Sequence, residues 1–180
     1  MKKPWRKISA QVVHKNPWWQ VRADQVICPD GRRGVYYVAD LRHFVSVFPL
    51  ANDGKSLYLI RQWRYPIDQN SWESSQGTIN RAEMPLAAAK RELREETGFT
   101  AKKWNKIGFS YLANGFANQA FYIYVARDLT PGVRRLESTE QDMIMKKFSF
   151  QQIDHMISQG IILDAPTIVS FYYLNKYLRR

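Results

Sequence analysis

The sequence holds a single cysteine, Cys28, among 180 residues. One thiol cannot close an internal disulfide or build a cysteine-rich zinc site, and its isolation fits a reducing, cytoplasmic setting. Long apolar runs are absent: nothing approaches the ~18 uninterrupted residues of a membrane span. The opening Met-Lys-Lys-Pro-Trp-Arg-Lys is basic, and no apolar stretch follows it, so it does not read as a secretory signal. Nine glycines and eight prolines are too few for a collagen-like or low-complexity chain. His14, His43 and His155 lack any metal-ligand spacing and read as structural or surface residues. Acid is also scarce, with 16 Asp and Glu against 27 Lys and Arg, a formal charge of +11. That balance favours phosphorylated or polyanionic partners. No nucleic-acid-binding motif or basic tail accompanies it, which argues against nucleic acid as a partner, although the +11 charge does not exclude it.

What is present suits one compact domain with a small appendage: 45% hydrophobic and 14% aromatic residues can bury a core. Residues 5–50 read as β structure, with Ile8, Val12 and Val13 in one run and Trp19, Val21, Val26 and Ile27 in the next. Cys28-Pro-Asp-Gly-Arg32 is a turn, followed by the β-rich Val35–Ala39. Phe44–Phe48 and Leu57–Ile60 read as two strands joined by a tight turn at Asp53-Gly54. Pro85–Thr97 is rich in good helix formers, with proline at its start, Gly98 just past its end, and an apolar stripe of Leu86, Ala88, Ala89 and Leu93. Trp104–Tyr111, Ala120–Ala126 and Met143–Phe148 read as strands. Ser149 with Gln152 forms a capping box for a short helix ending near Gly160. Asp164-Ala-Pro opens a last helix with Ile168, Phe171, Tyr172 and Leu178 on one stripe.

The chemistry concentrates in one stretch. Gly77-Thr-Ile-Asn-Arg-Ala-Glu83 is followed, after seven residues, by Arg91-Glu-Leu-Arg-Glu-Glu-Thr-Gly-Phe99. On a helix, Glu92, Glu95 and Glu96 stand at i, i+3 and i+4 and share a face, where like charges repel. Folding does not ask for that crowding; a divalent cation with oxygen ligands, Mg²⁺ or Mn²⁺, offsets it. Arg91, one turn before Glu95, is placed to pair with it.

The order of these residues matches the Nudix box, G-x5-E-x7-R-E-U-x-E-E-x-G-U with U apolar, at every specified position, and the chain resembles the Nudix hydrolase superfamily. The resemblance implies a Nudix α/β/α sandwich with a mixed sheet, preceded by an N-terminal antiparallel β subdomain. Residues 1–42 are then the subdomain and 43–180 the hydrolase domain. It also implies a metal set of Glu92, Glu95, Glu96 and the carbonyl of Gln76. Gly77, Glu83 and Gly98 support the loop and helix, with Arg91 as further support. The flanks Gln62-Trp-Arg64-Tyr-Pro, Trp72-Glu73-Ser-Ser-Gln-Gly77 and Asp164-Ala-Pro-Thr are similar to the ADP-ribose and nucleoside diphosphate sugar pyrophosphatase branch.

By that likeness Arg64 contacts the substrate diphosphate and Glu73 positions substrate or metal, or forms a salt bridge instead. Arg61 on the opposite side of the strand reads as a surface charge. Glu140, with Glu137 close behind, is the candidate general base, and Glu140, Glu92 and Arg91 make up the catalytic group. Gln119 departs from the branch, which often carries glutamate there. Trp18 and Trp19, adjacent on a strand, face opposite ways, so one is exposed unless it meets a partner. The branch gives it a use in enclosing the base across a homodimer. The implied activity is Mg²⁺-dependent hydrolysis of ADP-ribose, GDP-mannose or a similar compound to a nucleoside monophosphate and a sugar phosphate. Two other readings stay open: a Nudix enzyme acting on capped RNA or dinucleoside polyphosphates, and a non-catalytic module that senses a nucleotide sugar.

Overall fold

The computed structural model describes residues 3–179, which form two compact units. The first comprises residues 3–43 and 111–120. Its three strands, β1 (Arg6–Lys15), β2 (Trp19–Ile27) and β3 (Arg33–Leu41), form an antiparallel sheet in that order. β2 and β3 pair without a break from Trp19 opposite Leu41 to Ile27 opposite Arg33. The turn between them closes through the Gly31 N–H on the Cys28 carbonyl, with Gly31 at a φ of 87°. β1 slips register twice against β2, and every one of its residues is exposed. Segment 111–120 joins this unit through Tyr36, whose hydroxyl donates to the Gly115 carbonyl, and through Asn118, whose Oδ1 accepts the Leu41 N–H at 2.9 Å.

The tryptophan pair departs from expectation. Trp18 lies in the turn before β2, where Asn16 Oδ1 accepts the N–H groups of both Trp18 and Trp19 at 2.9 Å. The two rings therefore do not take opposite faces of one strand. Both are exposed, by 72% and 39%.

The second unit holds residues 44–110 and 121–179. In chain order it contains β4 (Phe44–Pro49), β5 (Ser56–Arg64), β6 (Gln69–Glu73), β7 (Ser75–Thr78), α1 (Pro85–Thr97), β8 (Thr100–Tyr111), β9 (Ala120–Thr130), β10 (Ile144–Ser149), α2 (Phe150–Ser158) and α3 (Ala165–Leu178). The sheet β7-β4-β9-β8 is mixed: β4 runs antiparallel to β7 and parallel to β9. A second sheet, β10-β5-β6, is antiparallel. β4 is buried throughout and has no polar face, as a strand covered on both sides should be. Val45 and Val47 pack with Ala88, Ala89 and Leu93 of α1, while Phe48 packs with Ile153 of α2 and Phe171 and Leu174 of α3. This is the expected α/β/α sandwich.

Three local expectations are corrected. The Asp53-Gly54 turn forms, with Gly54 at a φ of 69° and Asp53 Oδ1 on the Lys55 N–H. Its flanking strands, however, meet only at a single bridge, Leu50 with Leu57, and then part into different sheets. Each is apolar on both sides, so each finds partners elsewhere. On α1, Leu86 is 38% exposed, and Glu92 and Glu96 join Ala88, Ala89 and Leu93 on the buried side. On α3, Tyr172 and Leu178 turn outward, and Pro166, Thr167, Ser170, Phe171 and Leu174 are buried. Thr167 and Ser170 can be buried because their hydroxyls are hydrogen-bonded, which a search for apolar residues misses. Elsewhere the end signals hold. Gly98 caps α1 at a φ of 75° with its N–H on the Arg94 carbonyl, and Ser149 and Gln152 cap α2 reciprocally. No helix among the described residues is long and apolar enough to cross a membrane.

Candidate active site

β7 and α1 build the site together. β7 carries Gln76 and Gly77 past the carboxylates of the helix. A Cβ on Gly77 would stand 1.9 Å from the carboxylate carbon of Glu92, so any side chain here would displace that carboxylate from its present position. Glu96 is 2% exposed, and its Oε2 accepts the Gln76 N–H at 3.1 Å. Burial raises its pKa well above the ordinary carboxylate value, and the charges of Glu92 and Glu140 push the same way. Burial likewise lifts Glu92 to about 7, against the pull of Arg91 and with a further push from Glu95 and Glu140.

Arg91 is the hub that holds this crowd. Its Nε and Nη2 bind the two carboxylate oxygens of Glu83, each at 3.0 Å. Nη1 reaches Glu92 at 2.6 Å and Glu95 at 3.1 Å, and Nη2 also donates to the Thr78 carbonyl at 3.0 Å. Glu83 in turn accepts the Asn80 N–H at 2.8 Å. One guanidinium therefore ties the loop after β7 to the helix. Its hydrogen bonds to Glu83 hold that carboxyl below the usual range despite partial burial.

The segment carrying Glu137 and Glu140 crosses the end of α1. Arg134 Nε donates to the Glu96 carbonyl at 2.6 Å, and the Arg135 N–H donates to the Glu95 carbonyl at 2.9 Å. Glu140 sits in a 3-10 turn, Ser138–Glu140, and shares a reciprocal cap with Glu137, its Oε2 accepting the Glu137 N–H at 3.1 Å. The charge of Glu140 is felt by both Glu92 and Glu96. The neighbouring Asp142 accepts the Trp63 N–H at 3.0 Å, which joins this segment to the end of β5.

Arg64 ends β5 and pairs with Glu73, through Nε to Oε1 at 2.9 Å and a second, shorter contact from Nη2 to Oε2. Glu73 is 1% exposed, and its hydrogen bonds raise the Arg64 pKa, helped by Asp164 and Glu96. The salt-bridge alternative for Glu73 is therefore realised. Arg61 is not a plain surface charge: its guanidinium lies 5.7 Å from the Trp72 ring centre, and its Nε is buried without a hydrogen bond. Trp18 and Trp19 lie in the first unit, as does Gln119, whose amide donates to the Arg42 carbonyl at 3.0 Å.

One scaffold escaped the sequence reading. The Gln76 side chain donates to Asp164 Oδ2 at 2.6 Å and to Thr167 Oγ1 and Ser74 Oγ at 3.2 Å. Asp164 caps α3 through the Thr167 N–H at 2.8 Å. Ser46 Oγ links Ser74 at 2.8 Å and Ser170 at 2.7 Å. The residue that donates to Glu96 is thus anchored to a helix some ninety positions later. A cap such as Asp164 signals a helix start in the sequence and carries no sign of that distant contact.

The donors fit a hard divalent cation: clustered carboxylates of Glu92, Glu95 and Glu96, with the Gln76 peptide beside Glu96. Two of these carboxylates are buried with raised pKa values, which is the state a dication would relieve. As arranged, no three acidic, imidazole or thiol side chains among the described residues converge in metal-binding geometry, and Arg91 holds Glu92 and Glu95.

Comparison with known proteins fixes the class. Residues 41–164 match the NUDIX domain, and residues 5–39 match the nucleoside diphosphate sugar hydrolase N-terminal domain. The chain belongs to the Nudix hydrolase family, in agreement with the resemblance read from residues 77–99. It is 33% identical over 139 residues to the ADP compounds hydrolase NudE of Escherichia coli (strain K12), covering 77% of this chain and 73% of that protein. It is 27% identical over 152 residues to an ADP-ribose pyrophosphatase of Bacillus subtilis (strain 168), covering 84% of this chain and 82% of the relative. An ADP-ribose pyrophosphatase of Mycobacterium tuberculosis (strain ATCC 25618 / H37Rv) is 29% identical over 164 residues, 89% and 78% of the two chains. A crystal structure of an ADP compounds hydrolase superposes with a TM-score of 0.86 over 97% of this chain and 94% of that one, at 21% identity, and shares the fold.

Proposed function

We propose that this hydrolase cleaves the pyrophosphate bond of a nucleoside diphosphate sugar, ADP-ribose or GDP-mannose among the candidates, to a nucleoside monophosphate and a sugar phosphate. The observation that carries the reading is the pair of buried carboxylates on one face of α1, Glu92 and Glu96, with Glu92 against Gly77 and Glu96 on the Gln76 N–H. The names of the relatives, two ADP-ribose pyrophosphatases and an ADP compounds hydrolase, support the substrate class.

In the reaction, water attacks a phosphorus, the bridging P–O bond breaks, and the water proton must leave. Glu140 takes that proton: its charge already acts on the glutamate face, and its segment is pinned to the end of α1 by Arg134 and Arg135. Glu92, Glu95 and Glu96, with the Gln76 carbonyl, would hold Mg²⁺ or Mn²⁺, which would supply neutralisation of the phosphate oxygens and an ordered water for the attack. Arg64 receives the diphosphate; Nε and Nη2 serve Glu73, which fixes the plane of the guanidinium and leaves Nη1 outside that pair. Arg91 orients Glu92 and Glu95, and Gly77, Glu83 and Gly98 keep loop and helix in place.

The protein works as a homodimer in the cytoplasm, with residues 1–42 as the dimerising subdomain and 43–180 as the catalytic domain. Trp18 and Trp19 enclose the base. The support is the exposure of Ile8, Val12, Val13 and Trp18, an apolar surface that invites a second copy. The test is turnover of a panel of nucleotide sugars with and without Mg²⁺, with the products identified. Metal-dependent release of a monophosphate and a sugar phosphate is expected. Binding without turnover would favour a sensing module, and release of a nucleotide cap from RNA would favour an RNA-processing enzyme.

A further inference from the structure

The hydrolytic roles leave one motif of the second unit without a use, Asp164-Ala-Pro-Thr167. Asp164 is half-buried at the start of α3. Its Oδ2 accepts three hydrogen bonds: the Thr167 N–H at 2.8 Å, the Thr167 hydroxyl at 2.6 Å and the Gln76 side-chain amide at 2.6 Å. Behind it lies a cluster of hydroxyls. Thr167 Oγ1 also accepts the Ser74 N–H at 2.9 Å, and Ser46 Oγ stands between Ser74 Oγ at 2.8 Å and Ser170 Oγ at 2.7 Å. Ser46, Ser74, Thr167 and Ser170 are all 0% exposed. The cluster thus ties β4, the chain between β6 and β7, and α3 into one polar seam that ends at the Gln76 side chain.

Ordinary stabilising roles cover only part of this. A helix cap needs one acceptor for the Thr167 N–H, and serine or asparagine supplies it as well as aspartate does. Packing α3 against β4 does not ask for paired hydroxyls, since apolar groups of the same shape would serve about as well. Neither role accounts for a carboxylate that also takes the Gln76 amide. What the arrangement fixes is Gln76. Its side chain would otherwise be free to rotate, and its N–H donates to Glu96 Oε2 at 3.1 Å. The N–H and C=O of a strand residue point to the same edge, so the Gln76 carbonyl turns to the side on which Glu96 lies. We infer that Asp164 is a positioning residue of the cation site: through the Gln76 side chain it holds the Gln76 peptide at the glutamate face, ready for a divalent ion. The inference rests on the reading that Glu92, Glu95, Glu96 and the Gln76 carbonyl are the ligands. Partners that orient a ligand in this way set metal affinity, by about tenfold or more when they are removed.

The test is Mn²⁺ binding to the full chain without substrate, followed by electron paramagnetic resonance of the free ion. Asp164→Asn keeps the cap on α3 and removes the charge that holds Gln76, and it should raise the Mn²⁺ dissociation constant about tenfold. Asp164→Ser also caps the helix but is too short to reach Gln76, and should give the same loss. Metal-free melting of both variants should stay near that of the parent, which a purely structural role for Asp164 does not predict together with weaker binding. Gln76→Ala removes the other end of the bond and should weaken Mn²⁺ binding by a similar factor. Because Asp164 acts through Gln76, the double variant should bind about as weakly as either single one. Unchanged Mn²⁺ affinity in Asp164→Asn and Asp164→Ser would overturn the proposal. So would additive losses in the double variant, which would mean that Asp164 acts apart from Gln76. Glu96→Gln, measured alongside, separates this result from the hydrolytic reading. Weak binding in Glu96→Gln with parent-like binding in the Asp164 variants overturns this inference alone, whereas parent-like binding in Glu96→Gln removes the glutamate face as the cation site and this inference with it.

Discussion

The N-terminal sheet and the glutamate helix invert the usual rule in opposite directions. β1 places Ile8, Val12 and Val13 outside, where apolar side chains gain nothing from solvent. α1 places Glu92 and Glu96 inside, where charge is costly. Neither arrangement is an optimum for an isolated chain. One face asks for apolar cover and the other for positive charge, and both requests are for something the chain alone does not provide. Arg91 meets part of the second from within; nothing among the described residues covers β1.

The largest effect that would test this contrast lies at the buried carboxylates. Glu96→Gln keeps the volume and the helix but removes a charged oxygen. Steady-state turnover of a nucleotide sugar should fall by about three orders of magnitude, roughly 4 kcal/mol of transition-state stabilisation. Metal-free melting should stay level or rise, because a buried carboxyl that resists ionisation is replaced by a neutral amide. Turnover within about threefold of the parent would remove the glutamate face from the mechanism.

Arg91→Lys should come next. A lysine cannot hold both oxygens of Glu83 and also reach Glu92, Glu95 and Thr78, so the loop after β7 loses its tie to the helix. A loss of about 2 kcal/mol in denaturant unfolding is expected, with weaker metal-induced stabilisation. An unchanged midpoint would mean that the loop is held by other contacts.

The N-terminal sheet is tested by Ile8→Lys combined with Val12→Lys. Both side chains are exposed, so folding should survive while the covering partner is lost. Light scattering should give a dimer for the parent and a monomer for the variant, with raised KM. A parent that is monomeric at micromolar concentration would end the comparison on this side.

The smallest effect is a pH dependence. The folded Glu92 titrates at about 7 against an ordinary 4.5, and Glu96 is raised as well. The folded metal-free protein therefore holds protons that the unfolded chain has released. The associated stability is complete below about pH 4.5 and is lost as the pH rises through about 7. Chelated protein should melt at a lower temperature at about pH 8 than at about pH 5.5, and Glu92→Gln should flatten that slope. Equal slopes for parent and variant would show that Glu92 is already ionised when folded.

Much of this was legible in the sequence because the signals are local. Pro85 and Gly98 bound α1, Ser149 and Gln152 cap α2, and the spacing from Gly77 to Phe99 carries the family. The stripes of α1 and α3 were read less well. A periodic pattern counts apolar residues, and these helices bury Glu92, Glu96, Thr167 and Ser170, polar groups whose partners lie far along the chain.

The sequence by itself determined where α1 and α2 begin and end, where α3 starts, and that three glutamates share one face of α1, since caps, turns and helical spacing act over a few positions. Only the tertiary structure decided that β4 and β5 part into separate sheets and that Asp164 anchors Gln76. Those outcomes depend on which buried surfaces meet and which buried polar groups find partners. That is settled by the packing of the whole chain and leaves no mark on any short stretch of it.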